Sequence, residues 1–210
     1  MPILSELMYW LSQAAVASMA AAAVIEAGRK RFDLFGMLVV AVSAALGGGS
    51  LRDMLLDRPV FWVRDQTYLL TALGAALLMF FIARRWRMPL RMFLISDALG
   101  LALFTVVGTR VALNMEAAWL TASFLGVVTG VMGGILRDIL CNEEPLVFQG
   151  PLYATAAWAG ALFYIVLIDQ GLSGVVPALL AGSLVFGLRV AALRWTWRLP
   201  SYRDADDARD

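Results

Sequence analysis

The chain has no histidine and a single cysteine, Cys141, among 210 residues. Without histidine there can be no Ser-His or Cys-His nucleophile pair, no His-ligated metal and no intramembrane protease that needs a His base. One cysteine excludes an intrachain disulfide and a CxxC pair. Charge is scarce too: 16% of residues are charged, against about 25% in an ordinary soluble domain. The formal net charge is +1, so no global field points to nucleic acid and no such partner is expected. Residues 1–6 lack Lys and Arg and contain Glu6. A cleavable signal wants a positive start, so despite the small residues Ala20–Ala23 the first apolar stretch is expected to stay as a helix.

Apolar residues are what the chain has instead. They make up 61% of it, with a mean hydropathy of +0.77, more than one small globule can bury. A membrane span needs about 20 mostly apolar residues, and seven stretches qualify: near 7–27, 34–56, 67–83, 93–113, 117–140, 152–168 and 174–193. They are continuously apolar, not alternating as barrel strands would be. Positive residues cluster in alternate loops: Arg29, Lys30 and Arg31, then Arg84, Arg85, Arg87 and Arg91, then Arg189, Arg194, Arg198, Arg203 and Arg209. Arg137 falls on the same side, and only Arg52, Arg58, Arg64 and Arg110 fall opposite. The positive-inside rule then predicts an outside N-terminus and a cytoplasmic C-terminus. Residues 1–200 are expected to form one membrane domain, followed by a polar tail over 201–210.

An internal repeat organises these spans. Gly48-Gly49-Ser50-Leu51-Arg52-Asp53-Met54-Leu55 is echoed 85 positions later by Gly133-Gly134-Ile135-Leu136-Arg137-Asp138-Ile139-Leu140. The same offset pairs Tyr68 with Tyr153 and Met19 with Phe104. Two three-helix units (about 7–83 and 92–168) and a seventh helix (about 174–193) result. Three is odd, so the second unit must enter the membrane from the opposite side, the inverted arrangement of many transport proteins. The expected fold class is all-α integral membrane, with seven transmembrane helices.

Gly47, Gly48 and Gly49 lie inside the second span, and Gly130, Gly133 and Gly134 inside the fifth. Such clusters can break a helix and expose carbonyls as cation ligands. They can equally serve close packing, as the small-xxx-small face Gly126, Gly130 and Gly134 would. Arg52, Asp53, Arg137 and Asp138 follow within apolar flanks, where charge is costly and wants a partner or a cavity. A two-fold relation predicts crosswise pairs, Arg52 with Asp138 and Arg137 with Asp53; surface pairs stapling loops are the alternative. Asp97 is expected either to line a vestibule or bind a basic partner, or to be a solvated helix-end residue. Trp10, Trp62, Trp86, Trp119 and Trp195 read as interface anchors. Arg84-Arg85-Trp86-Arg87 marks membrane lipid as a partner.

Together these pieces resemble the prokaryotic branch of the trimeric intracellular cation (TRIC) channels, which overlaps bacterial glycine-transporter-domain proteins. The resemblance runs through Arg29-Lys30-Arg31-Phe32-Asp33-Leu34-Phe35-Gly36, Gly47 to Asp53, Pro59-Val60-Phe61-Trp62, Asp97 to Phe104, Gly133 to Asp138 and Tyr153-Ala154-Thr155. It implies a homotrimer with a pore in each protomer, bent at the glycines of the second and fifth helices, and potassium as the chief permeant ion. No cofactor and no bound metal beyond that ion is expected. The chain departs from the family at Ala22 and Ala23, where Ser and Gly are expected. Its length, brief tail and lack of a retention signal look prokaryotic, which implies the inner membrane.

Three function classes follow. In a cation channel, Gly47–Gly49, Gly130, Gly133 and Gly134 would give room and carbonyls. Asp53 and Asp138 would favour cations, Asp97 would belong to the same pathway, and Arg52 and Arg137 would hold geometry or gate. A secondary transporter of a small amino acid such as glycine suits the inverted repeat as well. An enzyme using Asp53 and Asp138 as an acid pair is disfavoured, because an adjacent arginine keeps each ionised.

Overall fold

A computed structural model describes residues 2–149 and 151–199; the expected tail over 201–210 lies outside the described residues. Among these, the chain forms nine helices and no strand. They are α1 (Pro2–Arg29), α2 (Leu34–Leu55), α3 (Phe61–Arg64), α4 (Thr67–Arg85), α5 (Leu90–Asn114), α6 (Trp119–Leu140), α7 (Leu146–Gln149), α8 (Ala154–Asp169) and α9 (Val176–Trp195).

Six of them, α1, α2, α4, α5, α6 and α9, are long and apolar enough to cross a membrane. The span expected over 152–168 appears as α8, which has 16 residues. At 1.5 Å per residue it reaches about 24 Å, short of the ~30 Å hydrocarbon core. The expected stretch itself holds only 17 residues, so its shortness is already legible in the sequence.

Helix ends follow local chemistry. Asp33 caps α2, its carboxylate accepting the Gly36 amide at 2.7 Å. Pro177 sits in the first turn of α9, where its missing N–H costs nothing. Helix α5 is the centre, packing along α1, α6, α8 and α9, while α2 packs on α1, α4 and α6. Helix α4 buries only Ala72 and Ala76 and turns Leu70, Leu78 and Phe81 outward, as a lipid-facing helix does.

The 85-residue offset recurs in the backbone. Arg31 and Glu116 both take left-handed conformations, and so do Asp57 and Asn142. The Leu56 and Cys141 amides return to the carbonyls of Arg52 and Arg137. Amides of Arg58 and Glu143 return to Asp53 and Asp138. Four non-glycine residues thus accept positive φ, which bulky side chains resist, at matched turns.

A buried charge site in duplicate

Helices α2 and α6 run unbroken through their glycines. The expected pair of half-helices with free carbonyls is therefore not what the glycines make. They let backbones touch. A Cβ on Gly48 would collide with the Thr129 carbonyl, and a Cβ on Gly133 with the Ala44 carbonyl. Gly48 and Gly133 are equivalent under the offset, and so are Ala44 and Thr129, so the contact is reciprocal. Along it one residue number rises as the other falls, so α2 and α6 cross antiparallel. Gly47 faces Leu136, Gly130 faces Leu101 and Thr105 of α5, and Gly126 faces Thr109. The close-packing alternative accounts for these positions.

Past the glycines, each helix ends in the same ion pair. Arg52 Nε donates to Asp53 Oδ1 at 2.9 Å, and Arg137 Nε to Asp138 Oδ1 at 2.8 Å. The remaining oxygens, Asp53 Oδ2 and Asp138 Oδ2, accept the Phe61 and Leu146 amides at 2.9 and 3.0 Å, the first amides of α3 and α7. The expected crosswise pairs, Arg52 with Asp138 and Arg137 with Asp53, do not form. Antiparallel crossing puts the two motifs at opposite ends of the helix pair, and a long arginine side chain can fold back to its own neighbour. Each aspartate fastens a short helix to a long one, and both oxygens of each carboxylate are engaged.

The two copies differ in what else the arginine meets. Arg137 is fully buried, and its Nη1 donates to Asp97 Oδ1 at 2.5 Å. The Tyr153 hydroxyl donates to the same oxygen at 3.1 Å. Asp97 is itself fully buried, which corrects the expectation of a solvated helix-end or vestibule-lining residue and leaves the expected basic partner, in Arg137: only about two turns of α5 precede it, but α6, α8 and α9 close over it. Arg189, which the sequence groups with the charges of the C-terminal end, is 1% exposed. It donates to the carbonyls of Pro151 and Leu152 at 2.8 and 3.0 Å, stacks over Tyr153 and stands 3.9 Å from Asp97 Oδ2. Its place inside the apolar run of α9 was the signal available, masked by its nearness to Arg194 and Arg198. Asp97 Oδ2, Arg137 Nη2 and Arg189 Nε have no hydrogen-bond partner among the described residues. Among the described residues Arg52 meets no second acid; a second cation, Arg58, stands there instead, its Nε 3.5 Å from Asp53.

Two cavities border these pairs at opposite ends of the bundle. One, of about 570 Å³, is lined by Glu26, Phe93, Asp138, Glu143, Arg189 and neighbours. The other, of about 100 Å³, is lined by Ser12, Gly49, Arg52, Arg58, Tyr68 and neighbours. Along α1, Ser12 and Glu26 lie about 21 Å apart. Midway sits Met19, fully buried and packed on Gly100 and Gly133. Ala22 and Ala23 are buried as well, so neither of those two positions brings a polar group to the interior. Among the described residues no cluster of three His, Cys, Asp or Glu could hold a metal ion. Trp62, expected as an interface anchor, instead packs against the core and donates its indole N–H to Ser50 at 2.9 Å. Trp10, Trp86, Trp119 and Trp195 are exposed.

Comparison with known proteins adds the following. The family model described as Glycine transporter matches twice, over residues 9–84 and 94–169. The inner membrane protein YadS of Escherichia coli (strain K12), a UPF0126 protein, is 40% identical over 206 residues, 93% of this chain and 96% of its own. The solved TRIC trimeric intracellular cation channel orthologue from Rhodobacter sphaeroides superposes with a TM-score of 0.87 at 34% identity, over 90% of this chain and 98% of that one. A second solved structure, from work on conductance through TRIC cation channels, gives 0.83 at 31% identity, over 92% and 96%.

Proposed function

The chain belongs to the prokaryotic TRIC channel family, which overlaps the bacterial glycine-transporter-domain membrane proteins, and from that premise we propose that it is a cation channel, not an enzyme. Potassium is the permeant ion of this reading, the assembly is a homotrimer, and each protomer carries its own pathway. The observation that carries it is the pair of cavities at opposite ends of one bundle. Each borders a buried Arg-Asp pair, and Met19 and the α2–α6 glycine contact part them. In this conformation the path is shut. Opening would separate α2 from α6 at Gly48 and Gly133 and rearrange the Asp97, Arg137 and Arg189 contacts, whose unpaired polar atoms leave room for exchange.

In this proposal α8 is the short sixth of seven membrane helices. Two inverted three-helix units span about 7–83 and 92–168, α9 is added to them, and residues 1–200 act as one domain. The antiparallel, reciprocal α2–α6 contact supports that reading. The N-terminus faces outward and the arginine-rich loops face the cytoplasm, in a prokaryotic inner membrane. Gly47, Gly48, Gly49, Gly130, Gly133 and Gly134 set how closely the pathway helices approach. Asp53 and Asp138 hold Arg52 and Arg137 at its two mouths, and Asp97 latches Arg137. Replacing Asp53 with Asn is expected to lower cation current; unchanged conductance and selectivity would remove Asp53 from the pathway.

The test is current across a planar bilayer holding the purified protein under a potassium chloride gradient. Unitary steps reversing near the potassium potential are the expected result. The description of the family model favours a second reading, secondary transport of glycine. Saturable glycine uptake, competed by its analogues and without ohmic current, would replace the channel with the transporter.

A further inference from the structure

The two copies of the charge site are the same construction with one part exchanged. Under the 85-residue offset Arg52 matches Arg137, Tyr68 matches Tyr153, Gly49 matches Gly134 and Ser12 matches Asp97. In the second copy a carboxylate sits between the arginine and the tyrosine: Asp97 Oδ1 accepts from both Arg137 Nη1 and the Tyr153 hydroxyl. All three groups cover Gly134, whose added Cβ would lie 2.9 Å from the Tyr153 hydroxyl and 3.6 Å from both Arg137 Nη2 and Asp97 Oδ1. The second copy is thus a worked example of how this arginine, tyrosine and glycine surface takes a carboxylate.

In the first copy that carboxylate is missing. Ser12 is too short to replace it and its hydroxyl donates to the Met8 carbonyl at 2.8 Å. What occupies the place is the cavity of about 100 Å³ lined by Ser12, Gly49, Arg52, Arg58, Phe61 and Tyr68. Arg52 is 4% exposed and gives Nε and Nη2 to Asp53; among the described residues its Nη1 has no partner. The local charge is unbalanced. Two guanidinium groups face one carboxylate, and both oxygens of Asp53 are already spent on Arg52 and the Phe61 amide. Arg58, about a quarter exposed, stands at the mouth, where the second copy has Glu143.

We propose that this cavity binds a small free monocarboxylate, of acetate size, whose oxygens take the place that Asp97 fills in the second copy. Its volume admits several waters or one such anion, and a guanidinium beside a hydroxyl is a strong carboxylate pair. Phe61, Phe104 and Val107 line the rest. Among the described residues no acid lines the cavity to receive an ammonium group, so acetate should bind better than glycine. This site goes beyond the conduction reading and does not rest on it, since its readout is binding and not current.

The experiment is calorimetric titration of sodium acetate, sodium glycinate at neutral pH and sodium chloride into the detergent-solubilised full chain at matched ionic strength, with thermal melts in parallel. Saturable acetate binding that stabilises the protein, with glycine weaker and chloride without effect, is the expected result. Ser12→Asp should tether the missing carboxylate: acetate affinity should fall by about tenfold or more, and the melting temperature without acetate should rise. Ser12→Ala should keep acetate binding. Absent acetate binding in the wild-type protein, an equal response to chloride, tighter binding of glycine, or unchanged acetate affinity in Ser12→Asp would each overturn the proposal. The wild-type titration stands even where Ser12→Asp does not fold.

Discussion

Arg52 and Arg137 end equivalent helices, fold back on equivalent aspartates and release equivalent turns, but they live in different electrostatic surroundings. Arg137 serves two carboxylates, Asp138 and Asp97, and packs against the Phe93 ring, with Arg189 close by. Arg52 serves Asp53 alone and shares it with Arg58. The difference has two sources. One is a single position, Ser12 against Asp97. The other is α9, which has no counterpart in the first unit and delivers Arg189 over the second site. Duplication supplied the frame, and an added helix with one exchanged side chain turned one copy into a closed ion-pair cluster and left the other with a cavity in the place that Asp97 fills.

The sharpest way to break this comparison is to remove each arginine. Arg137→Ala strands two buried carboxylates, and losing one partner of a buried ion pair costs about 3–5 kcal/mol. Arg52→Ala strands only Asp53, which keeps the Phe61 amide and Arg58, so about 1–3 kcal/mol is expected. Denaturant unfolding in detergent measures both, and equal losses would mean that the asymmetry is not energetic. Next come the features that the copies share. Gly48→Ala and Gly133→Ala should each destabilise by about 1–3 kcal/mol through overpacking. The two should agree, because each new methyl meets a backbone carbonyl that cannot turn aside. A large difference in their melting temperatures would show that the α2–α6 contact is not reciprocal in solution.

The smallest effect sharpens the comparison at its edge. Glu143 takes the place of Arg58 and pairs with Lys30 at 2.5 Å. The hydrogen bond and charge of Lys30 hold its carboxyl below the ordinary glutamate value. A depressed carboxyl stabilises above its unfolded pKa, so the contribution is full at neutral pH and fades as pH falls through the depressed value. Both groups are partly solvated, so the effect is small and screened by salt. Melting curves of wild type and Glu143→Gln should differ slightly at neutral pH and converge in acid. A gap that persists there would assign the role of Glu143 to something other than its charge.

Much of this was legible in the sequence, because it depends on composition and period. Continuous apolar runs located the long helices, the offset located both Arg-Asp motifs, and Gly126, Gly130 and Gly134 announced a close helix contact. The pairing was less legible. Sequence distance cannot say whether an arginine folds back or reaches across, and that choice followed from the antiparallel crossing of α2 and α6. Asp97 looked like a helix-end residue because its burial is supplied by α6, α8 and α9, none of them near it in the chain. Arg189 looked like a tail charge for the same reason.

The sequence by itself determined that this chain seeks a bilayer, that its charges are few and recur in register, and that no histidine chemistry is open to it. These follow from transfer energies and spacing, which are local. Only the tertiary structure decided that the glycines close a contact and do not break a helix, that Asp97 is a buried partner of Arg137, and that Ser12 leaves a gap where Asp97 leaves none. Those outcomes depend on which surfaces meet, and α9, unmatched in the repeat, covers one site and not the other.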